Sequence, residues 1–249
     1  MTFKKKENQT YYNPIMKAIS NYGLIEPGEK VAVGMSGGKD STSLFLFLDT
    51  LSKQGRLGFN FEVVPICLDM GFEMDIAPMK EFVESRGYDL DIVETDIAKV
   101  VFDIREEKNP CSLCAKMRRG YLYSRAKELG CEKVALGHHL DDAIETYFMN
   151  FLFHGRMESF EPMSYLSKTD ISLIRPMIYI EEKDIIRFVK NKELPVIFNP
   201  CPVDKKTKRE EMKQMIETLS LDYPLIKQRF IQGMEQEVRE NEWKVQRKS

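Results

Sequence analysis

The residues able to do chemistry in this 249-residue chain fall in four places: a glycine–serine–lysine turn, two cysteines three apart, a lone downstream cysteine and two adjacent aspartates. The turn, Ser36-Gly37-Gly38-Lys39-Asp40-Ser41, follows the apolar run Val31–Met35 and precedes a helical pattern. A strand, a glycine turn and a helix start together make an anion site. The first N–H groups of a helix lack intrahelical partners, and the helix dipole adds positive potential there. Gly37 and Gly38 let the backbone approach a phosphate, Ser36 and Ser41 add hydroxyl donors, and Lys39 adds a charge. The spacing is neither that of the Walker A loop nor GxGxxG. Asp40 suits such a site if Mg2+ sits nearby, or if the carboxylate orients Lys39.

Cys111-Ser-Leu-Cys114 stands at the start of a second helical pattern, where thiolates are favoured and make good metal ligands. A single CxxC is compatible with zinc, iron–sulfur and dithiol redox chemistry. Cys201, between Pro200 and Pro202, is a third thiol held on a conformationally restricted loop. Cys67 reads as core and Cys131 as incidental. In Gly137-His138-His139-Leu-Asp141-Asp142, the paired carboxylates suit Mg2+ binding or acid–base work, or they cap the helix that follows. His138 and His139 read as phosphate or ribose contacts or as structural groups, and Arg175 as a phosphate contact. Two basic clusters flank the cysteines: Lys116, Arg118, Arg119, Arg125 and Lys127 after the pair, and Lys205, Lys206, Lys208 and Arg209 after Cys201. They suit phosphates of a nucleic acid, though charge runs also serve as solvated faces.

These residues need elements to position them. Strand-like runs at 31–35, 61–68, 90–95, 133–137 and 172–177 alternate with helical patterns at 40–54, 76–86, 112–129, 140–153 and 181–192. Repeated βα units predict an α/β, doubly wound, mainly parallel five-stranded sheet with helices on both faces. In such sheets ligands sit at the carboxyl ends of the strands, beside a switch in strand order. The Ser36 turn and the Gly137–Asp142 segment both fall at strand ends, which places them on one rim. The stripe Ile144, Tyr147, Phe148, Phe151 and Leu152 reads as core. A helix at 11–22 and a C-terminal helical appendage complete the expected organisation: an N-terminal helical segment (1–29), a nucleotide-binding domain (30–199), and a cysteine loop with helices (200–249).

Composition bounds the function. A net charge of −2 provides no global field for nucleic acid, so such a partner must be held locally. No run of eighteen apolar residues or signal-peptide pattern is present, so neither a membrane span nor a membrane partner is expected. Five cysteines, an odd number, point to a reducing, cytoplasmic setting and to metal or thiol chemistry.

The Ser36–Ser41 turn resembles the PP-loop of ATP pyrophosphatases, which cleave ATP between the α and β phosphates and activate a carbonyl oxygen as its adenylate. With CSLCAKMRRG, ALGHHLDD, IRPMIYIEEKDIIRF and NPCP in that order, the chain from about residue 12 to 235 resembles the TtcA-type tRNA 2-thiocytidine synthetases. The resemblance implies that residues 36–41 hold the pyrophosphate part of ATP and that Asp69 and Met70 lie near adenine and ribose. It also implies that Gly137 and His138 approach the nucleotide, and that Asp141 and Asp142 lie near a metal, a cluster or the target base. Cys111, Cys114 and Cys201 would hold a [4Fe-4S] cluster whose fourth iron carries sulfur. The implied reaction adenylates the C2 oxygen of a tRNA cytidine, at position 32 of the anticodon loop, and replaces it with sulfur. Its partners would be tRNA, a sulfur donor (cysteine desulfurase or inorganic sulfide) and a second copy in a homodimer. One departure is that Asp204 stands where the family often has a further cysteine, and it could cap the fourth iron. The motifs are also compatible with an adenylating enzyme for another tRNA base or a small molecule, or with a nucleotide- and metal-binding redox sensor.

Overall fold

Strand alternation builds two cores on one sheet. In β1 (Lys30–Met35) the side chains of Val31, Val33 and Met35 enter one core while Ala32 enters the other. In β2 (Glu62–Asp69), Val63 and Cys67 take the first side and Ile66 the second, as the period of two requires. This computed structural model describes residues 5–72, 74–104, 110–197, 201 and 208–236.

In chain order the elements begin with α1 (Lys5–Glu7), a π-helical turn (Asn8–Tyr12) and α2 (Asn13–Tyr22). Next come β1, α3 (Lys39–Lys53), β2, α4 (Ala77–Ser85), β3 (Asp91–Glu94) and a π-helical segment (Lys99–Ile104). Then follow α5 (Pro110–Glu128), β4 (Lys133–Ala135), α6 (Leu140–His154), β5 (Met163–Leu166) and β6 (Ile171–Ile174). The last are α7 (Glu182–Lys192), α8 (Lys208–Asp222) and α9 (Ile226–Glu235). The sheet order is β3-β2-β1-β4-β6-β5, with only the β5–β6 pair antiparallel among the described residues.

All five expected strands are present and mutually parallel, and β5 is a sixth. Its four residues, Met-Ser-Tyr-Leu, alternate between exposed and half-buried, so no apolar run marks it. Its pairing comes instead from a turn in which Asp170 takes φ 52° and accepts from the Tyr165 hydroxyl at 2.9 Å.

Phe47 of α3 meets Tyr11 at 5.7 Å, Tyr12 at 5.6 Å and Phe188 of α7 at 4.5 Å between ring centres. All four rings are buried. Burying a side chain of that size stabilises by about 1.5–3 kcal/mol, so this aromatic cluster welds the N-terminal helices to α3 and α7. Leu122, Tyr123 and Ala126 of α5 cover the other face, together with Cys131, which is core rather than incidental.

The expected apolar stripe of α6 is only partly buried. Ile144 is sealed under Met212 and Ile216 of α8. Phe151 and Leu152 stand 46% and 51% exposed, because α8 covers only the first turns of the helix. No helix among the described residues is long and apolar enough to cross a membrane.

Candidate active site

β1 and β4 are neighbours whose chains leave in opposite directions, β1 onward to α3 and β2, β4 onward to α6 and β6. Their carboxyl ends therefore flank the switch point where open α/β sheets bind ligands. A cavity of about 450 Å³ lies there. Gly34, Met35, Ser36, Asp40 and Ser41 form one wall, and Gly137, His138 and Asp142 the next. Ala115, Arg118, Arg119 and Leu122 form the opposite wall, on the helix that carries Cys111 and Cys114. Met70 and Met74 close a further side.

The phosphate-loop wall is backbone-built. Ser41 Oγ accepts from the Ser36 N–H at 3.1 Å and lies 3.1 Å from Ser36 Oγ and 3.0 Å from the Gly38 carbonyl. No side chain caps the α3 N-terminus at Gly38, so its first-turn N–H groups remain available to an anion. Gly37 has φ +75°, and a Cβ there would meet Ile197 at 3.0 Å. The Gly37 carbonyl also accepts from the Ile197 N–H at 2.9 Å, which ties the loop to the segment leading to Cys201. At Gly137 a Cβ would lie 3.0 Å from the Asp40 backbone carbon and 3.1 Å from the Ser41 nitrogen. Only glycine allows the two loops this close.

The two aspartates diverge. Asp142 lines the cavity and closes a capping box on α6: its Oδ2 accepts the His139 N–H at 3.0 Å, and His139 Nδ1 accepts the Asp142 N–H at 3.4 Å. Its other oxygen takes Arg209 of α8 at 3.2 Å. Asp141 was expected in the reactive centre, but it faces away from the cavity. It accepts the Glu182 N–H at the start of α7 at 2.6 Å and pairs with Lys227 of α9. Adjacent residues in a first helical turn point about 100° apart, so only one of the pair reaches the cavity. Arg175, expected on a phosphate, does not line the cavity, and its Nε is buried without a hydrogen-bond partner among the described residues. Its guanidinium donates to the Glu161 carbonyl and to Ser164 Oγ at 3.1 Å, and lies 4.9 Å over the Phe160 ring. Asp69 is not among the lining residues and accepts the Gly71 N–H at 2.9 Å, so Met70 is the lining residue of that pair.

Lys39 sits beside the cavity, with its ammonium 2.8 Å from Asp40 and 2.9 Å from Glu182. Burial works against its charge, but Asp40 and then Glu182 outweigh it and raise its pKa. His138 behaves oppositely: burial pushes its pKa down to about 4 against the pull of Asp142. It is a neutral imidazole at physiological pH, with Nδ1 buried and unpaired, and suits hydrogen bonding to an uncharged ligand group better than neutralising a phosphate.

Cys111 is exposed at the first turn of α5, while Cys114 and Cys201 are half-buried, and all three are free thiols. Burial raises the Cys114 pKa, Arg118 opposes this, and Cys201 and Cys111 raise it further. The third thiol is thus an electrostatic neighbour of the pair. Among the described residues no three His, Cys, Asp or Glu side chains crowd closely enough to hold a single metal ion. Three soft thiolates suit an iron–sulfur cluster, whereas a structural zinc site takes four protein ligands. Asp204 and the flanking Pro200 and Pro202 lie outside the described residues.

Sequence reasoning missed three features of the site. Arg118 and Arg119 form part of the cavity wall itself, rather than only flanking it. Glu182 was unmarked, since nothing in Ile-Glu-Glu-Lys-Asp tells which carboxylate meets a lysine far upstream. Glu145 is buried on α6 next to Asp142, and burial followed by the Asp142 charge raises its carboxyl to about 7 despite Arg209 at 3.2 Å. Its only sequence signal was helical phase.

Comparison with known proteins agrees with this geometry. A PP-loop domain family model matches residues 5–219. A tRNA-cytidine(32) 2-sulfurtransferase from Citrifermentans bemidjiense is 36% identical over 89% of this chain and 88% of its own length. One from Aliivibrio fischeri is 37% identical over 88% of this chain and 74% of its own. Among solved structures, the U34-tRNA thiolase NcsA from Methanococcus maripaludis, with its [4Fe-4S] cluster, superposes with a TM-score of 0.72 at 26% identity. That match covers 90% of this chain and 76% of the other. An NAD+ synthetase from Burkholderia pseudomallei shares the fold alone, with a TM-score of 0.50 at 13% identity over 87% of this chain and 85% of its own. With motif, fold and relatives in agreement, the chain belongs to the PP-loop family, alongside the tRNA-cytidine(32) 2-sulfurtransferases.

Proposed function

We propose that this protein is an ATP-dependent tRNA sulfurtransferase that replaces the C2 oxygen of cytidine 32 with sulfur. The observation that carries this reading is the single cavity shared by the phosphate loop and the cysteine-bearing helix α5. An enzyme that only adenylates has no need of a helix bearing two free thiols against its ATP site.

The loop residues 36–41 take the pyrophosphate portion of ATP, with the first-turn N–H groups of α3 and the Lys39 ammonium opposing the charge that builds as pyrophosphate leaves. Asp40 and Asp142 are the carboxylates on the cavity wall, and they are the side chains to hold Mg2+ against the phosphates. Arg118 and Arg119 face the loop across the cavity with no carboxylate partner among the described residues. They are placed to hold phosphate oxygens of the nucleotide or of the tRNA backbone. Neutral His138 contacts ribose or base. The cytidine enters unstacked, since C2 is out of reach in a stacked base. Attack of its C2 oxygen on the α phosphate turns a poor leaving group into AMP, which leaves as sulfur takes its place. Cys111, Cys114 and Cys201 hold a [4Fe-4S] cluster, which when bound supplies an iron open to sulfur. The sulfur donor is a cysteine desulfurase or inorganic sulfide.

Nucleoside mass spectrometry of tRNA from cells lacking the protein tests the reading. 2-Thiocytidine should disappear and return with the wild-type gene. Unchanged thiolation would refute the proposal, and loss of a different thionucleoside would shift it to another target base.

A further inference from the structure

The Lys39 ammonium is gripped from two helices. Asp40, its neighbour on α3, holds it at 2.8 Å, and Glu182 Oε1, from the first turn of α7, at 2.9 Å. The second Glu182 oxygen takes Lys213 of α8 at 2.8 Å. The Glu182 backbone is fixed as well, its N–H donating to Asp141 at 2.6 Å. This carboxylate is therefore anchored at both ends of its residue and shared between the phosphate loop and the C-terminal helices. Burial disfavours its charge, but the hydrogen bonds from Lys213 and then Lys39 bring it down to about 2. It is an anion throughout the physiological range.

A free lysine on the first turn of a helix samples many rotamers, and fixing it costs entropy whenever ligand binds. An ammonium has three N–H bonds. Asp40 engages it with both oxygens, at 3.0 and 2.8 Å, and Glu182 from a different helix at 2.9 Å, so part of that entropy is lost on folding rather than on binding. We propose that Glu182 is a positioning residue of the phosphate loop, holding Lys39 beside the cavity for the triphosphate and linking that hold to α8 through Lys213. The proposal rests on the reading of residues 36–41 as the ATP site. Asp40 cannot do this alone, because it moves with Lys39 on the same helix turn. Glu182 fixes Lys39 relative to a different helix.

A double-mutant cycle tests it, read in the binding of MgATP without tRNA by titration calorimetry, with melting temperatures measured alongside. Glu182→Gln should weaken MgATP by about tenfold, the size of one charge-assisted hydrogen bond. In a Lys39→Met background the same change should add less than about twofold, since the residue it acts through is gone. Glu182→Asp, which keeps the charge on a shorter stem, should lose less than Glu182→Gln, and it carries the cycle if the Gln variant does not fold. Lys213→Met, which cuts only the α8 side, should cost less than about threefold. The proposal is overturned if Glu182→Gln binds MgATP like wild type, if it weakens binding equally in the Lys39→Met background, or if Lys213→Met reproduces the whole loss. Failure of the wild-type protein to bind MgATP is a separate result. It would remove the ATP reading, and the role of Glu182 with it.

Discussion

The rim of the cavity and the seam that docks the C-terminal helices meet at Asp142, and different contacts set their geometry. The rim is steric. Gly37 packs on Ile197, Gly137 packs on the Asp40 backbone, and hydroxyls and carbonyls close the loop at about 3 Å. The seam is ionic. Arg209, Lys213 and Lys227 of α8 and α9 reach Asp142 and Glu145, Glu182, and Asp141 and Glu181 on α6 and at the start of α7. Close-packed backbone tolerates no added atom, whereas ion pairs whose cations are partly exposed yield to salt. The comparison shows why phosphate binding belongs to the rim, where geometry must be rigid. The seam only has to bring the chain that follows Cys201 back to the same place.

The sharpest way to break that division is to remove a thiol. Cys111→Ala, Cys114→Ala and Cys201→Ala should each leave no detectable thiolated nucleoside in a tRNA assay, while MgATP affinity stays within about twofold, because no thiol touches the phosphate wall. Loss of ATP binding by folded protein would show that rim and cysteines are one unit.

Adding a single carbon to the rim comes next. Gly137→Ala places a Cβ against the Asp40 backbone. It should cost about 1–3 kcal/mol in stability and weaken MgATP by about tenfold or more as the loops separate, seen by denaturation and calorimetry.

The seam makes its own prediction through Glu145. Its folded pKa of about 7 lies above its ordinary value of 4.5. Between those pH values the unfolded chain has released the proton while the folded chain still binds it. Stability therefore falls as pH rises from about 4.5 to 7. Glu145→Gln should remove that slope and stabilise the protein at pH 8 by about 1–3 kcal/mol, measured by urea denaturation across pH. The smallest effect is expected from Lys227→Met, about 0.5–1 kcal/mol and shrinking with added salt, since Asp141 keeps its hydrogen bond from the Glu182 N–H. A loss several times larger, insensitive to salt, would mean that Lys227 acts through packing rather than through its ion pairs.

Legibility followed the same divide. The five parallel strands and the helices between them were readable because apolar period and glycine breaks are local properties, and the Ser36 turn was readable because its residues are contiguous. β5 was not, since a four-residue edge strand leans on its partner β6 rather than on its own pattern. On α6 the period located a helix but overstated its buried face, because how far α8 extends along it is a tertiary fact.

What the amino-acid order alone determined is the kind of chemistry: a backbone anion cradle, three thiols of no disulfide pattern, and carboxylates at a strand end. Those follow from residue type and short-range spacing, which set hydrogen-bonding capacity and softness as ligands. Only the folded chain decided direction. Two neighbouring aspartates look equivalent in a string, yet the helical turn between them sends Asp142 to the cavity and Asp141 to α7. Arg175 was brought against Ser164 of β5, and Glu182 was brought to Lys39 across well over a hundred residues. Side-chain partners at that range are chosen by the packing of whole helices, which no local pattern encodes.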